Sequence, residues 1–249
     1  MESRPPGTGV QIGSADTFIS RIVGAWGRCV VGNGGATTPR WLDIGPERIE
    51  GWLADFTARH GETATTTDVT SAIVTLTAAD GAVAECHLPF PPIHAAPIGA
   101  ADIAAHAAAS RTVGVLLARL GGYAAGVFTG SPPRLIASKV GSRLVHGRSA
   151  AGGQSQQRFA RRREKQAREA LGAAADNAAA VLGPFTGELD AVVLGGDKRS
   201  IAELHSDPRL RPYFDIAVER FLTVPDPRLA VLQGTPRLFR AIRIRLTGA

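Results

Sequence analysis

The residues with the clearest potential for chemistry form one run, Gly152-Gly153-Gln154-Ser155, which continues directly into a basic segment. Adjacent glycines reach backbone conformations closed to other residues, and without side chains they can lie flat against a nucleic-acid backbone. Ser155 is a favourable N-cap, so a helix is expected to begin here. Unpaired N–H groups and the positive end of the helix dipole would then face an anionic substrate, with no need for a metal or an ionisable base.

Positive charge is concentrated just after this loop. Between Gln154 and Arg168 the chain has six basic residues and one glutamate, which account for most of its formal net charge of +6. Adjacent like charges destabilise a helix unless an anion compensates them. Contacts with RNA phosphates are therefore expected for the basic residues of this segment, which are Arg158, Arg161, Arg162, Arg163, Lys165 and Arg168.

The extended run resembles the catalytic middle domain of eukaryotic and archaeal class I release factors. In that family Gly-Gly-Gln is followed by Ser, two variable residues and Arg-Phe-Ala-Arg, which correspond here to Gly152 through Ser155 and to Arg158-Phe159-Ala160-Arg161. The resemblance spans roughly residues 108–215. It implies that the Gln154 backbone N–H stabilises the charge that develops on the ester of peptidyl-tRNA, while the Gln154 side chain positions or restricts water. Such a donor contributes about 100- to 1,000-fold in rate.

The chain also departs from termination factors. It lacks an Asn-Ile-Lys-Ser-type codon-reading motif and is too short for their third domain, so decoding of stop codons is not expected. A short N-terminal unit before the catalytic domain is similar to bacterial members of the Vms-type (VLRF) release factors. Eukaryotic members tend to carry a weakened tripeptide, whereas Gly152-Gly153-Gln154 is intact here.

The resemblance implies a codon-independent peptidyl-tRNA hydrolase that releases nascent peptides from stalled ribosomes or large subunits during ribosome-associated quality control. The expected partners are peptidyl-tRNA and the ribosome, principally the large subunit and its RNA, and the protein is expected to act as a monomer without a cofactor. Two alternatives stay open. One is endonucleolytic cleavage of the tRNA 3′ end, and the other is a noncatalytic ribosome- or RNA-binding factor.

The elements around the loop predict an α+β fold with two domains, residues 1–100 and 101–249. In the first, Ile49, Trp52, Leu53 and Phe56 share a helical face. Residues 69–77 and 83–88 are expected to form a hairpin. Four prolines among residues 89–100 then predict a domain boundary.

The second domain is predicted to be a mixed sheet like that of the release-factor middle domain, with a long helix after the Gly-Gly-Gln loop. Its first strands form an antiparallel meander over residues 111–120, 123–128 and 135–139, and a basic strand at 143–146 leads into the loop. The helix is expected to run from Ser155 to about Leu182, with a packing stripe of Leu171, Ala174, Ala178 and Val181. A buried strand at 189–194 and a helix at 198–204 follow.

Other classes of protein are disfavoured. No run approaches the roughly 18 apolar residues of a membrane span, and no apolar secretory segment follows Met1, so a cytoplasmic protein is expected. Cys29 and Cys86 stand alone, which indicates neither a zinc knuckle nor a disulfide framework. The six histidines show no paired spacing typical of metal ligands, so no metal site is predicted.

Overall fold

The computed structural model describes residues 39–93, 99–119, 122–142 and 155–248, with the side chains of residues 155–165 and 167 excepted. This part of the chain contains two five-stranded sheets and the helices that pack on them, which confirms the predicted α+β class. Within it, no helix combines the length and the apolar composition needed to cross a membrane.

The first sheet is antiparallel and has the strand order β1-β10-β4-β3-β2. Its strands are β1 (Arg40–Ile44), β2 (Thr63–Asp68), β3 (Ile73–Ala78), β4 (Val83–His87) and β10 (Ile242–Thr247). Apolar and polar residues alternate along β3, β4 and β10, as expected when one face of a sheet packs in an apolar core.

Two helices cover that face, α1 (Ile49–His60) and α2 (Ala100–Ala108). The predicted helical face of α1 is confirmed, since Ile49, Leu53 and Phe56 are buried and Trp52 packs at the margin. Cys86 is completely buried in the same core. Burial raises the pKa of its thiol to about 12.

The second sheet is mixed, as predicted, with the order β7-β6-β5-β8-β9. Its strands are β5 (Val113–Arg119), β6 (Gly122–Thr129), β7 (Arg134–Ser142), β8 (Ala191–Gly196) and β9 (Ala217–Leu222). The meander β5-β6-β7 is antiparallel, whereas β8 runs parallel to both β5 and β9.

Helices cover both faces of this second sheet. The long helix α3 (Ser155–Leu182) lies across β6 and β7 on one face. The short helices α6 (Leu229–Gln233) and α7 (Thr235–Phe239) lie on the other, where Leu232 and Phe239 join the core. Because both faces are covered, β5 and β8 are buried along almost their whole length. Between α3 and α6 along the chain lie α4 (Lys198–His205) and α5 (Arg211–Asp215).

The predicted hairpin requires one correction. The strand expected over residues 69–77 begins at Ile73, because residues 69–72 form a turn. The carboxylate of Asp68 accepts hydrogen bonds from the backbone N–H groups of Thr70 and Ser71, at 3.0 and 3.1 Å, and so stabilises the turn. The strands β1 and β2 and the helix α2 were not predicted.

The last strand of the described chain belongs to the first sheet. β10 follows the strands of the second sheet along the chain but is inserted between β1 and β4. The reason is its alternation: Ile242 and Ile244 complete the core under α1 and α2, while Arg243 and Arg245 lie on the opposite face of the sheet. Whether the two sheets act as separate domains remains a prediction.

Arg220 of β9 joins the two sheets. Its guanidinium forms an ion pair with Asp43 of β1 at 2.8 Å and also donates a hydrogen bond to the Ala241 carbonyl. Only about 21% of the side chain is exposed. Burial lowers the pKa of Arg220, which the neighbouring Asp43 opposes.

Candidate functional site

The Gly-Gly-Gln segment, residues 143–154, connects β7, the edge strand of the second sheet, to the long helix α3. β7 ends at Ser142 and α3 begins at Ser155. Gly152, Gly153 and Gln154 lie between them, outside the described residues, as does the basic strand predicted at 143–146. The structure therefore describes the strand before the segment and the helix after it.

The strand before the segment, β7, ends at the same end of the sheet as β5 and β8. Ser142 pairs with Gly122, and Gly122 pairs with Arg119 at the carboxyl end of β5. The parallel partner of β5 ends beside it, where Gly196 pairs with Ala118. The Gly-Gly-Gln segment thus departs from the end of the sheet where β5 and β8 also terminate.

The helix after the segment, α3, begins and ends at the predicted residues. It runs for 28 residues, from Ser155 to Leu182, which corresponds to about 42 Å at 1.5 Å per residue. Ala174, Ala178 and Val181 of the predicted packing stripe are buried, whereas Leu171 is only half-buried. The buried side chains described along the helix are Ala170, Ala174, Ala175, Ala178, Val181 and Leu182.

A tyrosine side chain links the entering strand to the leaving helix. Tyr123 of β6 is the cross-strand partner of Gly141 in β7, and its ring occupies the space that a side chain at position 141 would need. Its hydroxyl accepts a hydrogen bond from the side-chain amide of Asn177 in α3. Asn177 also donates to the Ala173 carbonyl at 2.7 Å, which fixes the orientation of the amide.

Further contacts hold the second half of α3. Asp176 forms an ion pair with Arg209 at 2.8 Å, and Arg209 also pairs with Asp207 at 2.7 Å. Hydrogen bonds from Arg209 lower the pKa of Asp207. Just beyond the helix end, the hydroxyls of Thr186 and Tyr213 lie 3.0 Å apart. The end of α3 away from the Gly-Gly-Gln segment is therefore anchored by several contacts.

The predicted RNA-binding residues all lie on α3. The structure describes the side chain of Arg168, which is exposed. For the other five, Arg158, Arg161, Arg162, Arg163 and Lys165, it describes the backbone alone. With 3.6 residues per turn, positions 158, 162 and 165 fall on the side of the helix opposite to Ala174 and Ala178.

Residues 111–245 match the sequence model of a family described as "Actinobacteria/chloroflexi VLRF1 release factor". The match covers 135 of the 249 residues and includes the whole second sheet and α3. The chain belongs to this family. Membership of the VLRF1 release factors confirms the predicted relationship to bacterial Vms-type factors, and it gives the protein a ribosome-associated, release-factor-like role.

The solved structures to which this chain is similar include two archaeal proteins. One is described as the archaeal translation termination factor aRF1, with a TM-score of 0.39, 12% identity, and coverage of 83% of this chain and 68% of that chain. The other is described only as "Archaeal protein", with a TM-score of 0.36, 14% identity, and coverage of 80% of this chain and 64% of that chain. No curated protein matches the sequence of this VLRF1 family member.

Sequence reasoning missed the Tyr123–Asn177 pair. One signal was available, because Asn177 interrupts a stretch of alanines on α3, where a polar side chain requires a partner. The sequence contains only two tyrosines, but nothing local connects position 123 with position 177.

Proposed function

We propose that this VLRF1 family member is a codon-independent peptidyl-tRNA hydrolase that releases nascent peptides from stalled ribosomes or large subunits. The observation that carries the proposal is the intact Gly152-Gly153-Gln154-Ser155 run, continued by Arg158-Phe159-Ala160-Arg161, in a member of a release factor family. The position of this run between β7 and the start of α3 is consistent with it.

The reaction is the hydrolysis of one ester bond. Water attacks the carbonyl carbon that joins the peptide to the tRNA 3′ oxygen, and negative charge develops on the oxygens of that ester. The bond to the tRNA oxygen then breaks, which leaves a peptide carboxylic acid and a tRNA 3′ hydroxyl that takes up a proton. The Gln154 backbone N–H stabilises the developing charge and its side chain positions the water, which together reduce the barrier.

The glycines and the basic helix supply access and binding. Gly152 and Gly153 let the backbone approach the ester without steric hindrance from a side chain. The basic residues of α3 then bind RNA phosphates, so affinity decreases steeply as the salt concentration rises. The logarithm of the binding constant falls by about 0.7 to 0.9 per tenfold increase in salt for each phosphate contacted.

The test is a release assay on ribosome–nascent-chain complexes and on isolated large subunits that carry a labelled peptidyl-tRNA. Wild-type protein is expected to release the peptide, and Gln154→Ala is expected to lower the rate by about 100-fold or more. Gln157→Ala is the matched control, because it removes the same side chain three residues further along the chain. Circular dichroism establishes that both variants are folded. Equal release by wild type and Gln154→Ala would contradict the assignment.

The same assay distinguishes the two alternatives. Hydrolysis of the ester leaves a tRNA with its complete 3′ end, whereas endonucleolytic cleavage leaves a shortened tRNA, so sequencing of the tRNA ends separates the two reactions. A wild-type protein that binds the complexes but yields neither product would be a noncatalytic factor.

A further inference from the structure

A loop crosses the end of the second sheet at which the Gly-Gly-Gln segment begins. This loop, residues 223–228, follows Leu222, the last residue of β9, and leads into α6. Leu222 pairs with Gly195 of β8, and the Val224 carbonyl contacts β5, so the loop passes the ends of both strands. We call it the 223–228 loop. Its two prolines have no backbone N–H, so side-chain contacts contribute much of what holds it in place.

Arg119, the last residue of β5, connects this loop to the sheet. Its guanidinium donates a hydrogen bond of 2.8 Å to the carbonyl of the buried Val224, and it lies 3.7 Å from the carboxylate of Asp226. The planar guanidinium has five N–H donors, so one side chain can serve both groups. Asp226 is 75% exposed, and an ion pair this open contributes little, so the hydrogen bond to the carbonyl is the stronger contact.

The other end of the loop packs on the strands that lead to the Gly-Gly-Gln segment. Gly122 pairs with Arg119 on one side and with Ser142 on the other, so these three residues form one row across β5, β6 and β7. Pro227 lies against the middle of this row, since a Cβ added to Gly122 would be 3.4 Å from the proline Cδ. The loop therefore packs beside Ser142, the residue immediately before the segment.

The 223–228 loop and the helix α3 hold the beginning of β6 from opposite faces. Successive residues of a strand point to opposite sides of the sheet. Tyr123 points towards α3, where its hydroxyl accepts the hydrogen bond from Asn177, so Gly122 faces the other side, where Pro227 packs. The strand that pairs with the end of β7 is thus supported on both faces.

We propose that Arg119 is a positioning residue for the Gly-Gly-Gln segment. By holding the 223–228 loop on Gly122, it fixes the end of β7 at Ser142 and the direction in which the segment leaves the sheet. Its role is indirect, through the loop. The inference rests on the proposed function, because an effect on rate requires the hydrolysis assigned to Gln154. A misplacement of about 1 Å can lower the rate of such a reaction by about 100-fold.

The test compares Arg119→Met with Arg134→Met in single-turnover release from ribosome–nascent-chain complexes. Arg134 is the matched control, because it is an exposed arginine that pairs with Thr129 at the opposite end of β7. Arg119→Met should lower the maximal rate by about 10- to 100-fold. The protein concentration that gives half of this rate should stay the same, because the basic residues of α3 are unchanged. Arg134→Met should leave both quantities unchanged.

Substitutions in the loop test whether Arg119 acts through it. Pro227→Gly removes the ring that packs on Gly122 and should also lower the maximal rate, so it serves as the test if Arg119→Met does not fold. The double variant should lose less than the product of the two single effects, because both changes release the same loop. Asp226→Ala, which removes the exposed ion pair alone, should change the rate by less than about 5-fold. Strictly multiplicative effects of Arg119→Met and Pro227→Gly would contradict action through the loop.

Amide hydrogen exchange gives a readout that does not depend on release. Residues 138–142 should exchange faster in Arg119→Met than in wild type and at an unchanged rate in Arg134→Met. Release and exchange that are the same in the two variants would overturn the inference. A wild-type protein that releases no peptide would instead overturn the proposed function, and the exchange of residues 138–142 would then decide whether Arg119 holds the end of β7.

Discussion

The side chain of Asn177 donates a hydrogen bond to the hydroxyl of Tyr123, 54 positions earlier in the chain. The same tyrosine lies against Gly141, one residue before the end of β7. The strand before the Gly-Gly-Gln segment and the helix after it are thus held by one side chain. If the strand or the helix were displaced, the distance between the two ends of the segment would change.

Tyr123→Phe removes the hydroxyl and keeps the ring. We expect a loss of about 1 kcal/mol in unfolding free energy, together with slower peptide release at saturating complex, because small misplacements of reacting groups lower rates strongly. Single-turnover release measures this effect. Tyr213→Phe removes a comparable hydroxyl contact, that with Thr186 beyond the far end of α3, and should leave release unchanged. Equal release rates for the two variants would argue against a positioning role for Tyr123.

Gly141→Ala places a Cβ where the Tyr123 hydroxyl lies. We expect it to displace the ring and to cost about 1–3 kcal/mol in stability, measured by urea unfolding. Since the hydroxyl contact is then already lost, adding Tyr123→Phe should cost much less than it does alone. Gly172→Ala is the control, because a Cβ there meets nothing within 4 Å and should stabilise the helix by about 0.5–1 kcal/mol. Strictly additive effects at positions 141 and 123 would contradict the contact.

Arg220→Met tests the connection between the two sheets. It leaves the Asp43 carboxylate and the Ala241 carbonyl without their guanidinium partner. We expect a loss of about 1–3 kcal/mol, chiefly because the carbonyl of the buried Ala241 loses its hydrogen-bond donor, whereas the Asp43 side chain is 57% exposed and stays hydrated. Arg199→Met breaks an ion pair with Glu203 in which the arginine side chain is 88% exposed, and it should have little effect. Similar urea midpoints for the two variants would show that Arg220 does not hold the sheets together.

The lowered pKa of His87 predicts that the stability of the protein depends on pH. Burial lowers its pKa below the ordinary value of 6.5, and Arg243 and Arg245 lower it further, while Glu85 acts in the opposite direction. The unfolded chain therefore takes up the proton at a higher pH than the folded protein does. The contribution of His87 to stability is therefore present above about pH 6.5 and is lost as the pH falls through the interval between the two pKa values.

Thermal melting between pH 7.5 and 5 checks this prediction. His87→Gln removes the titrating group, so its melting temperature should decline less over that interval than that of wild type. Parallel curves for the two proteins would show that His87 contributes no proton linkage.

Cys86 should be unreactive in the folded protein. Its thiol is buried, and a pKa of about 12 leaves almost no thiolate at pH 8. In a Cys29→Ser background, iodoacetamide should label the native protein very slowly and the urea-unfolded protein rapidly. Fast labelling without denaturant would contradict the burial of Cys86.

Local patterns predicted the elements around the Gly-Gly-Gln segment well. The small-residue loop and Ser155 marked the start of α3, and the glycine and proline turns marked the meander. The strand β2 was missed because its sequence, Thr-Ala-Thr-Thr-Thr-Asp, has no apolar alternation, as is common for an edge strand. The pairing of β10 and the Tyr123–Asn177 contact depend on residues distant in the chain, which local periodicity does not connect. The roles of Gly152, Gly153 and Gln154 stay predictions from the motif.

The position of β10 also has a consequence for the order of folding. Leu246 pairs with Arg40, about two hundred residues earlier, and β10 separates β1 from β4. During synthesis, β1 to β4 emerge long before β10 does, so the edges of β1 and β4 that pair with β10 have no partner in the growing chain. Pairings this distant close slowly and expose strand edges meanwhile. The first sheet can be completed only after nearly all of the described chain has left the exit tunnel, and until then its unpaired edges are open to chaperones and to aggregation.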